Sequence, residues 1–75
     1  MKNTALTNNI RKLRFNNSEM TQQDLADKLN VSRQTVIAIE AGKYSPSLEL
    51  AFRIAEIFNV PLDEVFQYNP GKSSM

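Results

Sequence analysis

The chain of 75 residues contains no cysteine and no histidine. Without cysteine it has no disulfide framework and no thiolate metal site, and without histidine it lacks the commonest metal ligand and general base. A domain of this size is only marginally stable alone, because it buries about 60% of the surface that its unfolded chain exposes. Domains this short without such cross-links often gain stability by oligomerisation, so the composition favours a homodimer.

Glycine and long apolar runs are also scarce. Gly42 and Gly71 are the only glycines, so no glycine-rich phosphate loop is present. No stretch approaches the roughly 20 apolar residues of a membrane span, and the N-terminal segment has no apolar run of signal-peptide length. We therefore expect a soluble, cytoplasmic protein with no membrane partner. Because no cluster of lysines or carboxylates converges, we also expect no enzymatic activity, no cofactor, no metal and no small-molecule ligand.

The charge is distributed unevenly along the chain. The net charge is only +1, which by itself does not indicate a polyanionic partner. Residues 1–45, however, carry seven lysines and arginines against four acidic residues, whereas residues 46–75 carry two against four. This difference in sign is the one expected if the first part of the chain binds an anion and the second part does not.

Capping residues and helix breakers divide the chain into five predicted helices. Thr21, Ser32 and Ser47 are good N-cap residues, and Gly42 can end a helix in the left-handed conformation. The predicted helices cover residues 7–15, 22–29, 33–41, 48–58 and 61–66. Short extended segments at both termini can pair as strands, and the last residues read as a frayed tail.

The fourth predicted helix has an unusually wide apolar surface. Its polar residues Glu49, Arg53 and Glu56 lie on one narrow stripe, and the apolar residues around them occupy more of the circumference than one core contact needs. We therefore expect part of this surface, together with the last helix, to pack against a second subunit. The candidate interface residues are Phe52, Ile57, Val65, Phe66 and Tyr68.

The third predicted helix has two different faces. At about 100° per residue, Val36, Ile39 and Glu40 lie on the inward side. An inward carboxylate needs a partner because burying an unpaired charge is costly, and Arg14 at the end of the first helix is the predicted one. The alternative is that Glu40 bends out to solvent. The outward face consists of Arg33 at its flank and of Gln34, Ile37, Ala38 and Ala41.

This outward face is suited to a surface that must be approached closely. Small side chains allow a helix to enter a groove, while arginine and glutamine can donate hydrogen bonds to base edges or phosphates. Ile37 can meet a thymine methyl group in the same setting. Two short helices joined by a three- to four-residue turn, the second with such a face, form the helix-turn-helix pattern.

Four segments of the sequence carry a family resemblance. The segments "TQQDLA", "VSRQTV", "IEAGKYSPSLE" and "IFNVPLDEVF", in this order and spacing, resemble the Cro/C1-type (XRE-like) helix-turn-helix regulators, and in particular small members that consist of this domain alone. The resemblance covers residues 8–68. It implies an all-α, five-helix, lambda-repressor-like DNA-binding domain over residues 8–66, with the helix-turn-helix at 21–40. Residues 1–7 would form an N-terminal arm and residues 67–75 a C-terminal extended segment and tail.

The resemblance also implies roles for individual residues. The family inserts the helix equivalent to 33–41 into the major groove, which makes the base-reading residues Arg33, Gln34, Ile37 and Ala38. The positions that contact the phosphate backbone are occupied by Gln22, Ser32, Thr35, Lys43, Tyr44 and Ser45. Arg14 and Glu40 match a buried ion pair of the family, in agreement with the angular argument. The chain departs from the family at Ile37, where polar residues are frequent, and in a first interhelical loop one residue longer than usual.

Three functions are compatible with these features. The first is a sequence-specific transcriptional regulator, a dimeric repressor that binds an inverted-repeat operator in double-stranded DNA and so associates with the nucleoid. The second is an antitoxin-like protein that binds DNA and a partner protein, and this function would usually add a partner-binding segment outside the domain. The third is a protein-interaction module that has lost DNA binding, for which we expect a recognition face without arginine and glutamine.

Overall fold

The computed structural model describes residues 5–69 as five helices and a two-stranded antiparallel sheet. The elements are β1 (Leu6–Asn8), α1 (Ile10–Asn16), α2 (Gln22–Leu29), α3 (Arg33–Glu40), α4 (Leu48–Phe58), α5 (Leu62–Val65) and β2 (Phe66–Tyr68). The predicted five-helix fold is confirmed, and so is the pairing of short terminal strands. The outer parts of the predicted N-terminal arm and C-terminal tail lie outside the described residues.

Two of the differences between the predicted and observed helix boundaries arise from the small sheet. The first helix begins at Ile10 and not at Thr7, because Thr7 belongs to β1, where it lies opposite Gln67 of β2. The fifth helix ends at Val65, and Phe66 opens β2 opposite Asn8. Both differences have the same cause: the backbone groups next to each helix hydrogen-bond to the other end of the chain.

The N-termini of three helices are capped as the sequence predicts. Thr21 Oγ1 accepts a hydrogen bond from the Asp24 N–H (2.9 Å), and the Thr21 N–H donates to Asp24 Oδ2 (3.1 Å), which is a capping box. The same Thr21 N–H, followed by the Thr21 hydroxyl, holds the pKa of the Asp24 carboxyl below its ordinary value. Ser32 caps α3 and Ser47 caps α4 through their hydroxyl oxygens.

Three helices are followed by a residue in the left-handed conformation: Asn30 directly after α2, Asn59 directly after α4, and Gly42 after the right-handed cap Ala41 of α3. After each one, the next N–H donates to a carbonyl five residues back, as in a Schellman motif. After α2 and α4 this next residue is Val31 or Val60, and both valines pack against the core. After α3 it is Lys43, which is exposed.

A single core draws on all five helices. Its buried residues are Ile10, Leu25, Ala26, Leu29, Val36, Ile39, Ile54, Ala55, Phe58 and Val65. Val65 has an exposed fraction of 0%. Its prediction as a dimer-interface residue is wrong, because its side chain is completely buried in the core of its own chain. Ile57 and Phe66 are half-buried and pack against the same core.

Gly42→Ala is expected to lower the free energy of unfolding by about 1 to 2 kcal/mol, since the left-handed conformation is unfavourable for residues with a Cβ. The φ angle of Gly42 is 75°, and an added Cβ would meet nothing within 4 Å, so backbone strain alone sets the cost. Urea denaturation measures it. Gly42→Asn is the control and should cost less, because asparagine adopts this conformation at 30 and 59. Wild-type stability of Gly42→Ala would contradict the argument.

Candidate nucleic-acid interface

The helix α3 is held in the domain by one face and open on the other. Val36 and Ile39 are 1% and 2% exposed, as their angular positions predict. On the opposite side Arg33 and Gln34 are exposed, and two further members of the predicted outward face, Ile37 and Ala38, are half-buried. The exposed part of α3 is therefore its N-terminal half, where the long polar side chains are.

Glu40 fixes the C-terminal end of α3 to two other helices. Arg14 Nε donates to Glu40 Oε2 (2.7 Å) and Arg14 Nη2 donates to Glu40 Oε1 (3.1 Å), which is a two-point ion pair. The Arg14 and Glu40 side chains are 14% and 10% exposed, so the pair is largely buried, and the alternative in which Glu40 points to solvent is excluded. Gln22 Nε2 of α2 adds a third hydrogen bond, to Glu40 Oε1 (3.3 Å).

All three guanidinium nitrogens of Arg14 are engaged within the domain. Arg14 Nη1 donates to the backbone carbonyl of Met20 (2.9 Å), in the loop between α1 and α2. One arginine therefore connects α1, this loop and α3. Its role is structural, because no nitrogen of the side chain is left without a partner.

Asn8 makes a second connection to α3, which the sequence did not predict. Asn8 Nδ2 donates to the backbone carbonyls of Ile39 (3.1 Å) and Glu40 (3.4 Å), and Asn8 Oδ1 accepts the N–H of Ile10 (3.1 Å). The hydrogen bond between Asn8 Oδ1 and the Ile10 N–H is a local turn that an asparagine just before a helix often makes. This turn is the feature of the sequence that could have singled out Asn8. The hydrogen bond from Asn8 Nδ2 to the Ile39 carbonyl joins residues that are 31 positions apart in the sequence, and its acceptor is a backbone atom. No pattern of side chains therefore predicts it.

The predicted phosphate-contact residues lie at both ends of α3 and at the start of α2. Ser32 and Thr35 are joined at the start of α3, where their hydroxyl oxygens are 3.0 Å apart. Lys43, Tyr44 and Ser45 are exposed in the loop that follows α3. Gln22 is half-buried and braces Glu40.

An open groove lies between α1 and the N-terminal ends of α2 and α3. We call it the basic groove and define it by the long polar side chains that line it: Arg11, Lys12, Arg14, Gln22 and Arg33. Glu19 and Glu40 are its acidic members. No group of three or more acidic residues that could hold a metal ion occurs within residues 5–69. In the same part of the chain, no helix is long and apolar enough to cross a membrane.

Comparison with known proteins identifies the class of domain. A family model described as helix-turn-helix matches residues 10–65. An uncharacterized HTH-type transcriptional regulator of Methanocaldococcus jannaschii is 63% identical over 49 residues, which cover 65% of this chain and 74% of that protein. The cryptic phage CTXphi transcriptional repressor RstR of Vibrio cholerae is 34% identical over 56 residues, covering 75% of this chain and 50% of that protein.

A solved structure shows the same fold at low sequence identity. A Bacteroides fragilis protein superposes with a TM-score of 0.71 and 24% identity, over 83% of this chain and 98% of that one. Two helices joined by the three residues between Leu29 and Arg33, the second exposed along one face, form a helix-turn-helix domain. The chain belongs to the helix-turn-helix family of Cro/C1 (XRE-like) type, a family of DNA-binding transcriptional regulators.

Glu40→Ala is expected to lower the free energy of unfolding by about 3 kcal/mol, because it leaves the largely buried Arg14 guanidinium without its carboxylate. Urea denaturation of Glu40→Ala, Arg14→Met and the double variant forms a thermodynamic cycle. Glu56→Ala, which removes an exposed carboxylate from α4, is the charge-matched control and should change stability by less than about 0.5 kcal/mol. Simple addition of the two single losses in the double variant would show that the pair is not coupled.

Proposed function

We propose that the protein is a dimeric repressor that inserts α3 into the major groove of an inverted-repeat operator. One observation carries this proposal: α3 is fixed from behind by Val36, Ile39 and Glu40, while its N-terminal half presents Arg33 and Gln34 to solvent. A helix that reads bases must be held rigidly and yet expose hydrogen-bond donors on the other side, and α3 has both properties.

The side chains of this face match the chemistry of base edges. Arginine donates two parallel hydrogen bonds to guanine, glutamine pairs with adenine, and an apolar side chain contacts the methyl group of thymine. We assign these roles to Arg33, Gln34 and Ile37, with the small Ala38 allowing close approach. The phosphate contacts are assigned to Gln22, Ser32, Thr35, Lys43, Tyr44 and Ser45, which fix the position of the helix without reading sequence.

A second copy of the chain is the proposed partner of an exposed apolar surface formed by α4 and β2. Leu48 and Phe52 are 68% and 53% exposed and lie four residues apart on one face of α4, and Tyr68 of β2 is 69% exposed. Leu48, Phe66 and Tyr68 line an apolar groove with Leu6. Contiguous apolar surface of this kind is typical of an interface between proteins.

Dimerisation would set the distance between the two copies of α3. In a symmetric dimer the two copies of α3 would enter successive major grooves about 34 Å apart. The role as a repressor is supported by the name of the related RstR protein. A regulator of this kind would act in the cytoplasm, on the nucleoid, through operator binding.

Selection of bound sites from random duplexes should yield an inverted repeat, and Arg33→Ala should weaken binding to it by about 1 to 3 kcal/mol and relax the preference at one base pair of each half-site. Fluorescence anisotropy measures the affinity. Lys28→Ala removes the same charge from the exposed surface of α2 and should leave base preference unchanged. Failure to enrich any motif would favour the antitoxin-like or protein-interaction alternative.

Phe52→Ser is expected to convert the protein from a dimer to a monomer at micromolar concentration without unfolding it, because Phe52 is largely outside the core of its own chain. Sedimentation velocity measures the mass, and circular dichroism checks the fold. Phe15→Ser, which removes a 69% exposed aromatic residue from α1, is the matched control and should remain dimeric. A monomeric wild-type protein at this concentration would refute the dimer.

A further inference from the structure

The basic groove contains two positively charged residues, Arg11 and Lys12, to which the proposed function assigns no DNA contact. α1, Ile10–Asn16, carries Arg11, Lys12 and Arg14 and no acidic residue. The residues facing it across the groove include Gln22 at the start of α2 and Arg33 at the start of α3. The groove is open to solvent and has a volume of about 1040 Å³, so it can accommodate an extended chain of anionic groups.

The three basic residues of α1 have different surroundings. Arg14 is neutralised by Glu40 and has no free nitrogen. Lys12 lines not only the basic groove but also a second groove, together with Asp63 and Glu64 of α5, and these two carboxylates weaken the positive potential around it. Arg11 is exposed, and within residues 5–69 its side chain forms no hydrogen bond or ion pair.

We propose that Arg11 contacts a phosphate of the bound DNA and that the basic groove carries the sugar–phosphate backbone beside the major groove that α3 enters. This inference rests on the proposed function. When α3 lies in the major groove, a backbone strand must run along each side of it, and the residues at the N-terminal ends of α2 and α3 form one wall of the basic groove. α1 is then the other wall. Arg11 is the arginine of this wall whose guanidinium has no hydrogen bond or ion pair in the described part of the chain.

The chemistry of the groove agrees with a phosphodiester. A guanidinium presents paired N–H donors that match the two free oxygens of a phosphate. Of the two carboxylates in the groove, Glu40 is already satisfied by Arg14 and Gln22. Glu19 is exposed in the loop after α1. Because Arg11, Lys12 and Arg33 form no ion pair within residues 5–69, the groove keeps an excess of positive charge.

The test compares Arg11→Gln with Lys12→Gln. The two residues are neighbours on α1, both are exposed, and either substitution lowers the net charge of +1 by one unit. Fluorescence anisotropy is recorded over a series of salt concentrations with two probes, the duplex selected by the wild-type protein and a duplex of random sequence. Thermal unfolding of each variant checks that the fold is unchanged.

Arg11→Gln is expected to weaken binding to both duplexes about threefold to tenfold and to reduce the slope of log affinity against log salt by about 0.9, the value for one phosphate contact. Lys12→Gln should weaken binding less than twofold and keep most of the slope. Arg11→Lys should restore most of the slope, because it keeps the charge.

Three outcomes would overturn the inference in distinguishable ways. Equal effects of Arg11→Gln and Lys12→Gln would show that only net charge matters, while the proposed function would stand. Loss of affinity for the selected duplex alone would show that Arg11 reads bases and not phosphate. A wild-type protein that binds neither duplex would refute the proposed function itself.

Discussion

The ion pair between Arg14 and Glu40 is the contact on which the arrangement of the first three helices depends. Glu40 accepts hydrogen bonds from Arg14 of α1 and Gln22 of α2, so one carboxylate joins both helices to α3. A largely buried ion pair contributes little net stability compared with an apolar pair, because both charges must be removed from water. Its value here is geometric: two parallel hydrogen bonds accept only a narrow range of helix positions, and hydrophobic contacts alone would accept many.

The connections to α3 are concentrated at its C-terminal end. Asn8 holds the carbonyls of Ile39 and Glu40, and Arg14 holds the Glu40 side chain. Among the described residues, the N-terminal half, with Arg33 and Gln34, is held by its own cap and the core contacts behind it. Such an arrangement anchors the helix firmly at one end and leaves the other end accessible, which is what a helix that enters a groove requires.

Local signals in the sequence predicted much of this fold. The caps at Thr21, Ser32 and Ser47 were predicted because a cap depends on residues within one helical turn. The inward position of Glu40 was predicted from helical periodicity, and Arg14, named as its partner, agreed with the ion pair that the family resemblance implies. Pairing of the terminal segments was predicted, but its extent was not: Thr7 was assigned to a helix because its strand partner lies at the far end of the sequence. Val65 was misassigned because four residues of helix cannot reveal which apolar side chain the core will take.

The exposed lysine that follows the left-handed end of α3 has a thermodynamic consequence. At the ends of α2 and α4 the corresponding valine is packed against the core, so opening either end would expose apolar surface to water. Opening the end of α3 exposes no such side chain, since Lys43 is already in solvent. The last turn of α3 is held by Asn8 and Arg14, so local opening, which begins where the fewest buried contacts are lost, is confined to the turn at Gly42 and Lys43 that follows it. A ligand that binds only the closed form of this turn stabilises it by mass action. Any anion that holds Lys43 would therefore also stabilise this turn, which links the affinity of the protein for that anion to the local order of its own backbone.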